Sequence, residues 1–199
     1  VYDGPLTYAA NYDEQHVPFW DALDYIGVDM YAPLMTHANP TVEEVVQAWL
    51  GPPQHDYTAS LYDGRPIVEA MAALSATHDR PILFTETGYR SIDGAGTGEA
   101  MIAPYDQGGI DLDEQAVFYE GFARAMVEAR ADWLAGVLFW DWPAAPALVG
   151  APPPNGRGFS VAGKPAASVF REDLAPLARP EEDAPRADGG FEAGGEDRP

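Results

Sequence analysis

An α/β fold with a parallel sheet is predicted, and three features of the sequence predict it. Four short, continuous apolar runs alternate with stretches of helical periodicity. The runs are too evenly apolar for strands with one wet face, which is how strands buried under helices read. Each run also ends in polar or aromatic residues.

Residues 6–11 (LTYAAN) form the first expected strand, and residues 17–23 (VPFWDAL) a short helical turn or loop. Residues 25–34 (YIGVDMYAPL) form the second strand. Thr41 is placed to cap a helix: Glu43 and Glu44 follow in its first turn, and Val42, Val45, Val46 and Trp49 supply an apolar face. Gly51-Pro52-Pro53 ends that helix. A second helical stretch runs over residues 65–77, with Ile67, Met71 and Leu74 on one side. Residues 81–88 (PILFTETG) read as the third strand, and 90–113 as a Gly-rich loop of a length that usually serves function. A long amphipathic helix is expected over 114–131, the fourth strand over 134–142 (LAGVLFWDW) and the last helix over 164–171. Residues 1–173 make the folded domain. Residues 174–199 are rich in Pro, Gly, Ala and acid, and are expected to form a disordered acidic tail.

Strand and helix thus alternate four times. An open doubly wound sheet and part of a (β/α)₈ barrel both fit. No G-x-G-x-x-G or P-loop follows any strand, so a nucleotide-binding sheet would lack its phosphate cradle. The net charge of −21 repels nucleic acid and anionic lipid but tolerates a neutral glycan. The sequence has no cysteine, which excludes disulfides and thiolate metal sites. His16, His37, His55 and His78 lack close metal-ligand spacing, so no metal is expected. No apolar run is long enough to span a membrane. No signal peptide is read, and Val1 in place of an initiator Met reads as a chain whose true N-terminus lies upstream, so localisation stays open between secreted and cytoplasmic.

The strand ends carry the chemistry. The first ends with Asn11 and Asp13, the second carries Asp29 and Tyr31, the third Glu86, Tyr89 and Arg90, and the fourth Trp140, Asp141 and Trp142. In a parallel barrel that end is where active sites are built. Alternation puts Asp29 with Tyr31 on one face of their strand, Ile82 and Phe84 with Glu86 on theirs, and Leu138 and Trp140 with Trp142 on theirs. A carboxylate at the end of a buried strand needs a hydrogen bond or a counter-charge. Tyr31 and Arg90 are the candidates, and a structural ion pair accounts for Glu86 as well as catalysis does.

PILFTETGYRS (81–91), YAANYD (8–13), FWDALDYIGVDMYAPL (19–34), FWDW (139–142) and GKPA (163–166) together resemble family 113 glycoside hydrolases, over roughly residues 6–170. These are retaining β-mannanases of the large clan that uses two glutamates on a (β/α)₈ TIM barrel. The resemblance implies that the four runs are barrel strands five to eight, a partial barrel holding the last four strand–helix units. Glu86 then falls on the nucleophile and Tyr31 on the tyrosine that orients it. Trp140 falls on the aromatic floor beside the cleaved bond, with Trp142 a second sugar platform. Asn11 and Asp29 are candidates for binding sugar hydroxyls. The family's acid/base glutamate lies at the end of the fourth barrel strand, before Val1. Double displacement needs both carboxyls, about 5–5.5 Å apart, so this chain alone is expected to cleave glycans poorly or not at all. The implied partner is a polysaccharide or oligosaccharide, with no cofactor, and the full-length protein is expected to be a monomer. A non-catalytic carbohydrate-binding relative is the alternative, and an unrelated α/β interaction domain ranks last.

Overall fold

A computed structural model describes residues 2–14, 16–104, 106–142 and 156–175. Four strands lie side by side in chain order, every neighbouring pair parallel: β1 (Ala9–Asn11), β2 (Ile26–Asp29), β3 (Ile82–Thr87) and β4 (Leu134–Phe139). Each is shorter than its apolar run. A 3₁₀ turn (Trp20–Ala22) is the regular element between β1 and β2. Three helices separate β2 from β3: α1 (Val42–Leu50), α2 (Asp56–Leu61) and α3 (Ile67–His78). Two separate β3 from β4: α4 (Glu99–Ile102) and α5 (Leu112–Glu128). A short α6 (Ala166–Val169) follows, extended by a π-helical turn (Phe170–Leu174). The tail expected over residues 174–199 lies, from residue 176 on, outside the described residues.

Helix α1 starts where Thr41 predicts. The Thr41 hydroxyl accepts from the Glu44 amide at 3.2 Å, and the Glu44 carboxylate accepts from the Thr41 amide at 2.7 Å, so two of the orphan donors at the helix start are satisfied reciprocally. Its buried stripe, Val45, Val46 and Trp49, meets α5 where Gly121 lets the two helices close, since a Cβ at that position would strike Val45.

The rings of β3 and β4 pack into the helical layer. Phe84 of β3 meets Trp49 of α1 and Phe122 of α5, and Phe139 of β4 meets Tyr119, Phe122 and Phe170. The opposite face carries Ala9, Asn11 and Leu138, all exposed. A doubly wound sheet would be covered by helices on both faces. Helices on one face, with strands in sequential parallel order, are the wall of a (β/α)₈ barrel, which decides between the two architectures left open by the sequence.

Candidate active site

The expected alternation along β3 fails, and its failure positions the site. Val28 pairs with Phe84, but the next residue of β2, Asp29, pairs with Glu86, so Thr85 is an extra residue in β3. The β3–β4 ladder shifts between the same positions, where Phe84 and Thr87 oppose Val137 and Phe139. Such a bulge resets the two-residue period. Ile82 and Phe84 therefore face the helices, whereas Glu86 shares the opposite, open face with its register partner Asp29. The reading that put Ile82, Phe84 and Glu86 on one face is corrected by that single inserted residue.

Across the sheet, Asn11 pairs with Asp29 and Asp29 with Glu86, so three of the candidate residues form one row at the C-terminal ends of adjacent strands. Asp29 Oδ1 accepts from the Thr85 hydroxyl at 2.7 Å, which gives the bulge residue a task that sequence reading missed. Tyr31 donates its hydroxyl to Glu86 Oε2 at 3.1 Å. Burial first, and then the neighbouring Glu86 carboxylate, hold the Tyr31 phenol well above its usual range, so it remains a donor. Among the described residues, Tyr31 is the one hydrogen-bond partner of the Glu86 carboxylate.

Arg90 takes another role. Its buried guanidinium donates to the carbonyls of Ala100, Ala103, Pro104 and Arg157, which fastens the long connection after β3. The same connection is held from the other side by Glu114, whose carboxylate accepts from the amides of Asn39, Gly94 and Ala95 at 2.8–3.1 Å. Burial pushes the Glu114 carboxyl above the usual range while those three amides pull it back. Asp93, Asp111 and Glu114 lie within 4.8 Å of one another, yet their oxygens already serve these loop and cap hydrogen bonds.

Trp140 follows β4 with 46% of its surface exposed. Its amide continues the ladder by donating to Thr87 O at 2.8 Å, and its carbonyl lies where a Cβ of Gly88 would fall, so only glycine fits beside it. The peptide from Trp140 to Asp141 is cis. Trp142 leans toward the helical layer instead: its ring lies 6.5 Å from Phe170. The expected line of Leu138, Trp140 and Trp142 is therefore not kept. Lys164, from the GKPA segment, donates to Ser91 Oγ at 2.7 Å and to Gly158 O at 2.9 Å, tying the exits of β3 and β4 together. Burial lowers the Lys164 ammonium to about 8, partly opposed by Asp141. A groove of about 530 Å³ along β4, lined by Met126, Arg130 and Leu134 among others, contains none of the row residues.

Residues 1–164 match the profile of Glycoside Hydrolase Family 113. The chain belongs to that family. Its fold resembles a solved family 113 β-mannanase from Alicyclobacillus acidocaldarius, in complex with ManMIm, at 28% identity and a TM-score of 0.57. It also resembles a family 113 β-1,4-mannanase at 24% identity and a TM-score of 0.60. In both cases 89% of this chain is covered but 47% of the other, so the chain spans about half the length of these family 113 structures. A comparison with curated proteins found no match. No described helix of this family 113 chain is long and apolar enough to cross a membrane.

Proposed function

We propose that this chain supplies the nucleophile side of a retaining, β-mannanase-like glycosidase active site acting on β-linked polysaccharide. Glu86 attacks the anomeric carbon, and Tyr31 orients the attacking carboxylate. Trp140 forms the floor beneath the sugar, with Trp142 a more distant platform, and Asn11 and Asp29 bind hydroxyls. The observation that carries this reading is the 3.1 Å hydrogen bond from Tyr31 to Glu86, at the open C-terminal rim of a parallel sheet. A carboxylate with a single phenolic donor retains nucleophilic lone pairs, and the phenol holds its trajectory. Attack displaces the leaving oxygen, which is protonated by the second carboxyl, and water then releases the sugar from the glycosyl-enzyme.

That second carboxyl is assigned to a strand outside these 199 residues. General acid catalysis contributes about 10²–10⁴-fold, so the chain by itself is expected to turn over β-mannan at least that much more slowly than the complete protein. The deciding experiment uses the complete protein with Glu86→Ala and an activated aryl β-mannoside. Azide restores turnover and yields the α-mannosyl azide if Glu86 is the nucleophile. Full activity in the Glu86→Ala protein without azide overturns the assignment. Binding of manno-oligosaccharide with no turnover by the wild-type complete protein favours a non-catalytic carbohydrate-binding relative instead.

A further inference from the structure

Helix α2 is inserted between α1 and α3 and is tied to the catalytic rim by three side chains. Thr58 donates to Pro33 O at 2.6 Å, just beyond β2 and Tyr31. Tyr62 donates to Tyr12 O at 3.2 Å, just beyond β1. Tyr57 donates to Asp13 Oδ2 at 2.9 Å, on the same β1 exit. Two of these residues, Thr58 and Tyr62, are wholly buried and anchor the helix; Tyr57 is 46% exposed. Its ring is nonetheless held, edge-on to Tyr12 at 6.3 Å and by its hydroxyl. An open ring in a fixed attitude, beside a carboxylate, loses little entropy on meeting a ligand.

The position is set by the register. Asn11 stands two strands from Glu86, about 10 Å at the usual spacing of neighbouring strands. Asp13 follows Asn11 at the exit of β1 and holds Tyr57, at the opposite end of the strand order from β4 and Trp140. Asp13 is exposed, and among the described residues Tyr57 is its one hydrogen-bond partner, which leaves Oδ1 to accept from a hydroxyl. Tyr57 supplies an apolar face for the C–H side of a pyranose. Asp13, Glu14 and the −21 net charge reject an anionic sugar here, and a neutral one is accepted.

We propose that Tyr57 and Asp13 form an outlying sugar-binding subsite for a neutral polysaccharide, on the β1 side of the cleft, so that the substrate chain runs from the Trp140 floor past Glu86 and Asn11 to α2. This rests on the reading of Glu86 as the centre of a glycosidase site. A subsite away from the reacting bond engages only substrates long enough to reach it.

The test uses the complete protein with Glu86→Gln, so that binding is measured without turnover. Calorimetric titration runs through β-1,4-linked manno-, gluco- and galacto-oligosaccharides, from disaccharide to hexasaccharide. Adding Tyr57→Ala is expected to weaken the longest ligand that binds by about tenfold, the size of one lost aromatic contact, and to leave the shortest unchanged. Adding Asp13→Ala weakens the same long ligands only. Tyr57→Phe, which keeps the ring, retains most of the affinity. Equal affinity at every length, or a uniform loss at every length, overturns the subsite while leaving the Glu86 reading intact. Failure of the Glu86→Gln parent to bind any of these sugars overturns both.

Discussion

The end of β3 and the first turn of α5 each hold a glutamate, and the two are satisfied by opposite means. Glu114 is buried and saturated: three backbone amides from two loops converge on its carboxylate. Glu86 is half-buried on the open face and, among the described residues, meets one phenol. A carboxylate wrapped in amides is a structural rivet, because its lone pairs are occupied and its loss strands buried donors. A carboxylate held by one donor, on the open face of the sheet, keeps lone pairs unoccupied. The difference lies in the partners, since both residues are glutamates near the same strand.

Separating activity from stability sharpens that contrast. In the complete protein, Glu86→Gln is expected to reduce mannan turnover on the order of 10⁴-fold or more, the scale of removing a covalent nucleophile. Its urea unfolding free energy should stay within about 1 kcal/mol of wild type. Unchanged turnover would collapse the distinction. Glu114→Ala should do the reverse. Unfolding by urea is expected to show a loss of about 3 kcal/mol or more, because the buried amides of Gly94 and Ala95 lose their acceptor inside the protein. A loss below about 1 kcal/mol would mean that water takes over those amides.

Tyr31→Phe sits between the two. It removes a hydrogen bond to a charged group, about 1.5–3 kcal/mol, and so about 10- to 100-fold in kcat/KM if the bond tightens at the transition state. An effect on KM alone would make Tyr31 a binding residue. The smallest effect concerns Lys164. Its folded pKa of about 8 lies below the ordinary 10.5, so the folded chain releases this proton first. Below about pH 8 both states are protonated and the burial penalty is present in full. As pH rises from about 8 to 10.5 the unfolded state binds more protons, and this group's penalty is relieved. Urea midpoints across that window should therefore rise less steeply in Lys164→Met than in wild type. Parallel profiles would show that the ammonium is not desolvated.

Much of this was legible in the chain. The four apolar runs marked all four strands, and Thr41 with Glu44 marked the start of α1 to the residue. The strand ends placed Asn11, Asp29 and Glu86 at one rim of the sheet, and Tyr31 was one of two expected partners of Glu86. Other features were not legible, the bulge at Thr85 among them, since nothing in an apolar run marks one extra residue. Helix α2 spans six residues and has a single buried position, Thr58, so it shows no helical period. The strand ends were over-read because apolar residues such as Met30 and Leu34 continue past the last ladder pair into buried loop. Arg90 was expected beside Glu86, and Glu114 only as the start of a helix; their burial follows from the folding of a Gly-rich loop around them. A signal did exist: that loop must find acceptors for its amides, and a Glu in the first turn of the next helix is the nearest one.

The extra residue in β3 adds a hydroxyl to the site without deciding which way the glutamate turns. Deleting Thr85 would restore plain alternation, which already sets the residue after Phe84 on the open face opposite Asp29, and would remove the donor that Asp29 accepts from. A homologue one residue shorter between Phe84 and Thr87 would therefore keep its glutamate in the row and leave Asp29 to find another donor.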